Sequence, residues 1–185
     1  QTRNLVQEEA YKRVFPDFEL RDDSKAKDDW RTAKGGVCYS QGTGGTITGF
    51  GAGKFRDSFG GAIIIDDPHK ASEARSDTIR KGVIEWFQNT LESRTNSPDT
   101  PIIVIMQRLH EEDLAGWLLD GGNGEEWEHL CLSAIQPDGS ALWPEKHNIE
   151  TLERMELAAP YVFAGQYRQM PSPPAGGFFK PDNIE

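Results

Sequence analysis

Asp66 and Asp67 are the residues whose type and position best suit chemistry. They end the run Gly60-Gly61-Ala62-Ile63-Ile64-Ile65-Asp66-Asp67-Pro68-His69-Lys70. Small and β-branched apolar residues in succession predict a strand buried on both faces. Adjacent carboxylates at its carboxyl end, stopped by proline, have no use in a core. In open α/β sheets, ligands bind just beyond the carboxyl ends of the strands. One acid there can hold Mg²⁺, and a second can orient or deprotonate a water, which is the Walker B arrangement of nucleotide hydrolases. The competing reading is a strand-end turn in which Asp67-Pro68 only caps the next segment.

Gln107 and Arg108 form the second polar pair. They follow Pro101-Ile102-Ile103-Val104-Ile105-Met106, another all-apolar strand. Between the strands, residues 72–94 predict a helix with Ile79, Val83, Trp86, Phe87 and Leu91 on one face. Asp77 and Arg94 suit its two dipole ends. Strand, helix, strand is a βαβ unit and favours a parallel sheet. A right-handed unit brings both carboxyl ends to one edge. Two acids, an amide and a guanidinium then surround one crevice. Phosphoryl transfer needs such a set: an acid on the metal, a group orienting water, a polar side chain near the γ-phosphate and an arginine to offset charge. The bland alternative for Gln107 and Arg108 is the start of a helix and a surface ion pair.

The remaining chain predicts elements of lesser chemical interest. Residues 1–20 show helical spacing through Leu5, Val6, Ala10 and Val14, ended by Pro16. Residues 21–34 are charged and predict a surface loop. Gly35 to Gln41 and Thr46 to Gly51, joined by Gly42-Thr43-Gly44-Gly45, predict a hairpin or tight meander. Glu111 to Leu119 predicts a short helix closed by Gly121-Gly122, and Trp127 to Ala134 a third strand. Residues 149–159 and 161–169 predict two more helices, and 171–185 a Pro/Gly-rich linker.

The 185 residues suffice for one ordinary domain, alone or with an appendage. A net charge of −10 disfavours broad electrostatic binding of DNA over the whole surface, while a local basic patch stays open. No apolar stretch approaches the roughly 18–20 residues that span a bilayer, and with no charged-then-apolar opening no secretory signal is expected. Cys38 and Cys131 form no Cys-x-x-Cys and are expected to be reduced, buried thiols. His110-Glu111-Glu112-Asp113 is not His-Glu-x-x-His, which argues against a zinc protease. The phosphate cradle is missing. A Walker A loop is Gly-x4-Gly-Lys-Ser/Thr between strand and helix. In Gly49-Phe50-Gly51-Ala52-Gly53-Lys54-Phe55 the first glycine is out of register, Phe55 replaces the hydroxyl, and no room is left for a helix before Ile63.

Together these blocks resemble the large terminase subunit of tailed bacteriophages and prophages. The likeness is carried by Ile63 to Lys70, by Trp86-Phe87-Gln88-Asn89-Thr90-Leu91, and by Ile103-Val104-Ile105-Met106-Gln107-Arg108-Leu109-His110-Glu111-Glu112-Asp113-Leu114-Ala115-Gly116. Gly42 to Gly49, Leu142-Trp143-Pro144-Glu145 and Ala164 to Pro171 follow in the family's order, so that residues 4–180 are covered. That family's subunit is a DNA-packaging motor with a RecA-like ATPase and an RNase H-like nuclease. The resemblance implies an α/β, RecA-like (P-loop NTPase type) fragment with a mainly parallel sheet, lacking the first strand and Walker A loop. It implies a partial ATPase domain over 1–145, a helical connection over 146–170 and a linker over 171–185 toward an absent nuclease. Asp66 takes the metal role, with ATP and Mg²⁺ as cofactors of the intact protein and none required for folding. Asp67 stands where related motors have a catalytic Glu, Gln107 lies at the coupling motif, and Arg108 follows it. His110 and Asp113 are expected to start and orient the next helix. Implied partners are double-stranded DNA, the small terminase subunit, the portal protein and further copies of the chain, in the bacterial cytoplasm without a membrane. Without Walker A, the isolated chain is expected to show no ATPase activity. A non-catalytic remnant that binds protein or DNA is the alternative. A metal-dependent nuclease is less favoured, because only one strand end carries an acid cluster.

Overall fold

The computed structural model describes residues 2–24, 26–45, 47–54 and 58–172. The chain divides into two compact units, residues 1–50 and 51–185. Among the described residues no helix is long and apolar enough to cross a membrane.

In the first unit the expected N-terminal helix is two short ones, α1 (Thr2–Leu5) and α2 (Glu9–Val14). Neither buries a residue of its own, and only Val6, between them, is buried. So thin an apolar stripe cannot hold a longer helix, whose stability comes mostly from packing. Part of the charged segment expected to be loop is a strand, β1 (Asp29–Arg31), antiparallel to β2 (Val37–Tyr39) with Trp30 opposite Cys38. Trp30 is buried and meets Phe18 edge-on. The hairpin expected across the Gly-rich stretch therefore lies one segment earlier. Residues 47–51 form no strand, and Thr46 lies outside the described residues. Tyr39 instead stacks on Phe50 with ring centroids 3.8 Å apart.

The second unit is α/β. Strands β3 (Ile63–Asp66) and β4 (Ile102–Ile105) are parallel, and Asp66 stands opposite Ile105. Helix α3 (Asp77–Trp86) links them, starting later than expected because residues 71–75 form turns. It runs on into a π turn (Phe87–Leu91) and a 3₁₀ turn (Glu92–Arg94). Val83, Phe87 and Leu91 are spaced by four, and each such step overshoots an α turn by about 40°. The wider π turn offsets that drift, so all three stay buried. They pack with Ile65 and with Leu114 and Leu118 of α4 (Leu114–Leu119). Trp117 and Trp127 flank Phe87.

Three expectations fail here. The β3–β4 pair is covered on one face only, and Ile64, Ile103 and Ile105 are 63%, 44% and 55% exposed on the other. Residues 127–134 are not a strand. Leu130 and Leu132 face solvent and no ladder receives them; Ala134 N–H instead donates to the Tyr167 carbonyl at 2.7 Å. The cysteines are free thiols but not buried as expected: Cys131 is exposed and Cys38 half-buried.

Helices α5 (Ile149–Ala158) and α6 (Pro160–Gln166) form where expected. Asn148 caps α5 by accepting from Thr151 N–H at 3.0 Å, and Pro160 opens α6. Leu152 and Phe163 are buried, and Arg168 grips Glu156 through two contacts of 2.7 and 2.8 Å. Gly165 lets α6 approach the chain leaving β4: a Cβ there would sit 2.5 Å from the Arg108 carbonyl oxygen. Of the expected linker, residues 173–185 lie outside the described residues.

Candidate functional site

The parallel pairing brings the carboxyl ends of β3 and β4 to the same end of the sheet. Asp66 is exposed there. Asp67 is also exposed and has φ +44°, in the left-handed region, while its N–H donates to the Ile105 carbonyl at 2.9 Å. Outside glycine, Asp and Asn reach that region most readily, because a short polar side chain can bond locally. Gln107 is exposed past the end of β4.

Arg108 behaves differently. Its side chain is only 14% exposed and Nε donates to both oxygens of Asp113, at 3.0 and 3.1 Å. Nη2 reaches the Glu111 carbonyl at 3.2 Å, and the backbone N–H donates to Oε1 of Gln169 at 3.0 Å. Asp113 is completely buried and accepts further from the backbone N–H groups of Leu109 (2.9 Å), His110 (3.3 Å) and Gly116 (2.8 Å). The Gly116 contact is an N-cap for α4. Asp113 thus has the helix-start role expected for it. His110 orients the same turn, its Nδ1 accepting from Glu112 N–H at 3.0 Å. Gly116 is needed for the turn to close, since a Cβ there would meet the Glu111 carbonyl and lie 2.7 Å from Nη2 of Arg108.

Two residues behind the site give no comparable signal in the sequence. His69 is buried, and its Nε2 accepts from Leu114 N–H at 2.9 Å. The proton therefore sits on Nδ1, which is buried without a partner among the described residues. Burial lowers the His69 pKa below the ordinary histidine value; nearby Asp113 opposes the shift and Arg80 adds to it. Arg80 is buried within α3. Its Nη1 donates to the Ala74 carbonyl at 2.8 Å, and Nη2 meets Glu112 at 3.0 Å and also Asp77. Its trace in the sequence is position: Arg80 precedes Val83 by three and Phe87 by seven, on the buried stripe of α3.

Among the described residues no group of three or more His, Cys, Asp or Glu side chains gathers as a metal site. Asp66 and Asp67 offer two exposed carboxylates. That donor set suits Mg²⁺, which keeps several waters and binds through one or two carboxylates plus substrate phosphates. The chain matches no protein-family model, and neither the curated proteins nor the solved structures yield a match.

Proposed function

We propose that the chain is part of the large subunit of a viral genome-packaging terminase, from a RecA-like domain that couples ATP hydrolysis to movement of double-stranded DNA into a procapsid. The observation that carries the reading is the parallel β3–β4 pairing, which gives Asp66-Asp67 and Gln107-Arg108 a common sheet end. The ordered blocks along residues 4–180 supply the choice of family. The exposed isoleucine face supports further elements packed on that face in the whole protein, since parallel sheets are normally covered on both faces.

In this reading Asp66 holds Mg²⁺, and Mg²⁺-ATP when bound supplies the phosphoryl group to be transferred. Asp67 orients a water and draws off its proton. Its left-handed backbone gives a physical reason for Asp where related motors have Glu: the shorter acid tolerates φ +44° better. Gln107, exposed and one residue before the braced Arg108, is free to report on nucleotide state. Arg108, tied to Asp113, acts as a positioning residue. The small subunit, the portal, further copies of the chain and the bacterial cytoplasm complete the proposed setting.

The test is the coding sequence upstream of Gln1. Gly-x4-Gly-Lys-Ser/Thr at the end of a strand is the expected finding, and an initiator codon directly before Gln1 refutes the motor reading. The exposed Ile64, Ile103 and Ile105 would then favour a non-catalytic module that binds a partner through that face. The 185-residue chain alone is expected to show no ATP turnover, because its sequence contains no Gly-x4-Gly-Lys-Ser/Thr loop to make the triphosphate contacts. Asp67-dependent turnover by this chain would overturn that expectation.

A further inference from the structure

Among the described residues only two that are not glycine have a positive φ, Asp67 at +44° and Gln169 at +58°. They are far apart in sequence, yet both grip the end of β4. The Asp67 N–H donates to the Ile105 carbonyl at 2.9 Å, and Oε1 of Gln169 accepts from the Arg108 N–H at 3.0 Å. The first bond holds the Ile105–Met106 peptide group and the second the Gln107–Arg108 one. Gln107 lies between these two anchors, with its side chain exposed. The left-handed Gln169 also ends α6: its own N–H donates to the Gly165 carbonyl at 3.0 Å, and the Met170 N–H to the Ala164 carbonyl at 2.8 Å. Gly or Asn usually makes such a helix end, and glycine would adopt it with less strain. Capping alone therefore does not account for glutamine. What its side chain adds is a contact at both ends of the amide, since Nε2 donates to the Gln166 carbonyl at 2.7 Å while Oε1 takes the Arg108 N–H.

We infer that Gln169 is a positioning residue for Gln107 and links the end of β4 to the path of the chain after α6. By holding the Gln107–Arg108 peptide it fixes ψ of Gln107, and with it the direction in which that side chain leaves the sheet. High-energy backbone conformations persist only where their surroundings over-determine them, and they gather at sites where geometry matters. Rotation about the N–Cα bond of Gln169 swings its side chain and the following chain together. Return to a negative φ would thus release Arg108 and redirect Met170, which Pro171 holds in an extended conformation. A shift of the Gln107–Arg108 peptide and a change of path after α6 then come as one event. The role of Gln107 as a reporter of nucleotide state rests on the motor reading. The link rests on these contacts and is measured without nucleotide, so either can fail while the other stands.

Amide hydrogen exchange and ¹⁵N relaxation on the 185-residue chain test the link, using Gln169→Gly and Gln169→Asn. Both replacements accept a left-handed backbone, and neither reaches Arg108, because glycine has no side chain and asparagine is one methylene shorter. The Arg108 amide should exchange about fivefold to tenfold faster in both, the loss of one hydrogen bond. The order parameter of the Gln107 amide should fall below the value of about 0.85 typical of rigid backbone. The urea midpoint should stay within about 0.5 M of wild type, because relief at the left-handed position offsets the lost bond. From the other end, Asp113→Asn loosens the turn that holds Arg108 and should move the Met170 amide resonance. Unchanged Arg108 exchange and Gln107 order in both variants would leave Gln169 a helix cap only and overturn the inference. A larger midpoint fall in both variants, or a stationary Met170 resonance in Asp113→Asn, overturns it as well.

Discussion

Asp113→Ala removes the one acceptor on which the turn after β4 converges. The wild-type carboxylate is 0% exposed and receives the Arg108 guanidinium and three backbone N–H groups. Removing one partner of a buried ion pair costs about 3–5 kcal/mol, because the survivor keeps an uncompensated charge. Orphaned N–H groups cost about 1–3 kcal/mol each when they stay dry. These costs overlap, and Arg108 at 14% exposure can still draw in water. The expected loss is therefore near the lower bound, about 3 kcal/mol, against a typical domain stability of about 5–15 kcal/mol. With a urea m-value of about 2 kcal/mol/M, the unfolding midpoint should fall by about 1.5 M, read from the fluorescence of the core tryptophans. Asp113→Asn removes the charge and turns one of the two acceptor oxygens, which serve Gly116 and Leu109 separately, into an NH₂ donor facing an N–H, so about 1–2 kcal/mol is expected. A local readout separates bracing from general damage: the amides of Leu109 and Gly116 should lose hydrogen-exchange protection in Asp113→Asn while the β3–β4 ladder keeps its own. In a double-mutant cycle with Arg108→Met, the coupling should be about 2 kcal/mol. A midpoint shift of under about 0.3 M in Asp113→Ala, or unchanged protection at Leu109 and Gly116, would refute the reasoning.

Two further outcomes follow from the same region. His69 is held neutral in the folded chain, with a pKa below its ordinary value of 6.5, so the unfolded chain binds the extra proton first as pH falls. Its contribution to stability is fully present above pH 6.5 and is lost as pH falls from there through the lowered folded value. Protonation at Nε2 also breaks the bond from Leu114 N–H. Melting temperatures from pH 7.5 to 5 should fall more steeply for wild type than for His69→Gln; parallel curves would exclude the effect. At Asp67, φ +44° predicts that Asp67→Asn stays within about 0.5 kcal/mol of wild type, while Asp67→Val loses about 1–2 kcal/mol. Equal urea midpoints for the two variants would show that the left-handed conformation carries no cost.

The parts of the fold legible in the sequence are those where one physical signal dominates. Two all-apolar runs flanking an amphipathic segment became β3, α3 and β4 because burial alone fixes such elements. The helices expected over 149–159 and 161–169 also form, as α5 and α6, and the structure shows Asn148 capping the first and Pro160 opening the second. Failures came where a partner decides. Trp127 to Ala134 has strand-like composition but no neighbouring strand, and Val37 to Tyr39 pairs with a charged segment whose only strong apolar residue is Trp30. The runs of isoleucine implied two covered faces, yet composition says only that a strand tolerates burial, and Ile64, Ile103 and Ile105 are exposed. The placement of Asp66, Asp67 and Gln107 at the strand ends was legible from the apolar runs before them. His69 and Arg80 were not, because their significance lies in contacts with residues 45 and 32 positions away.

Those distant contacts explain how the strand ends can stay both ordered and open. The segment after β3 is tied to α4 through His69 and Leu114, and α3 to the same turn through Arg80 and Glu112. The segment after β4 is tied to α4 through Arg108 and Asp113, and to the end of α6 through the Arg108 N–H and Gln169. Each tie is a polar group meeting a specific partner, so it fixes register and direction in a way that apolar contact does not. The buried members carry this positioning, whereas Asp66, Asp67 and Gln107 carry none of it and remain exposed. A charge-removing change at either acid should therefore leave the brace standing, and a change in the brace should move the acids without touching their chemistry. Asp66→Asn and Asp113→Asn are thus expected to differ in kind: the first keeps exchange protection at Leu109 and Gly116, and the second loses it while both carboxylates survive.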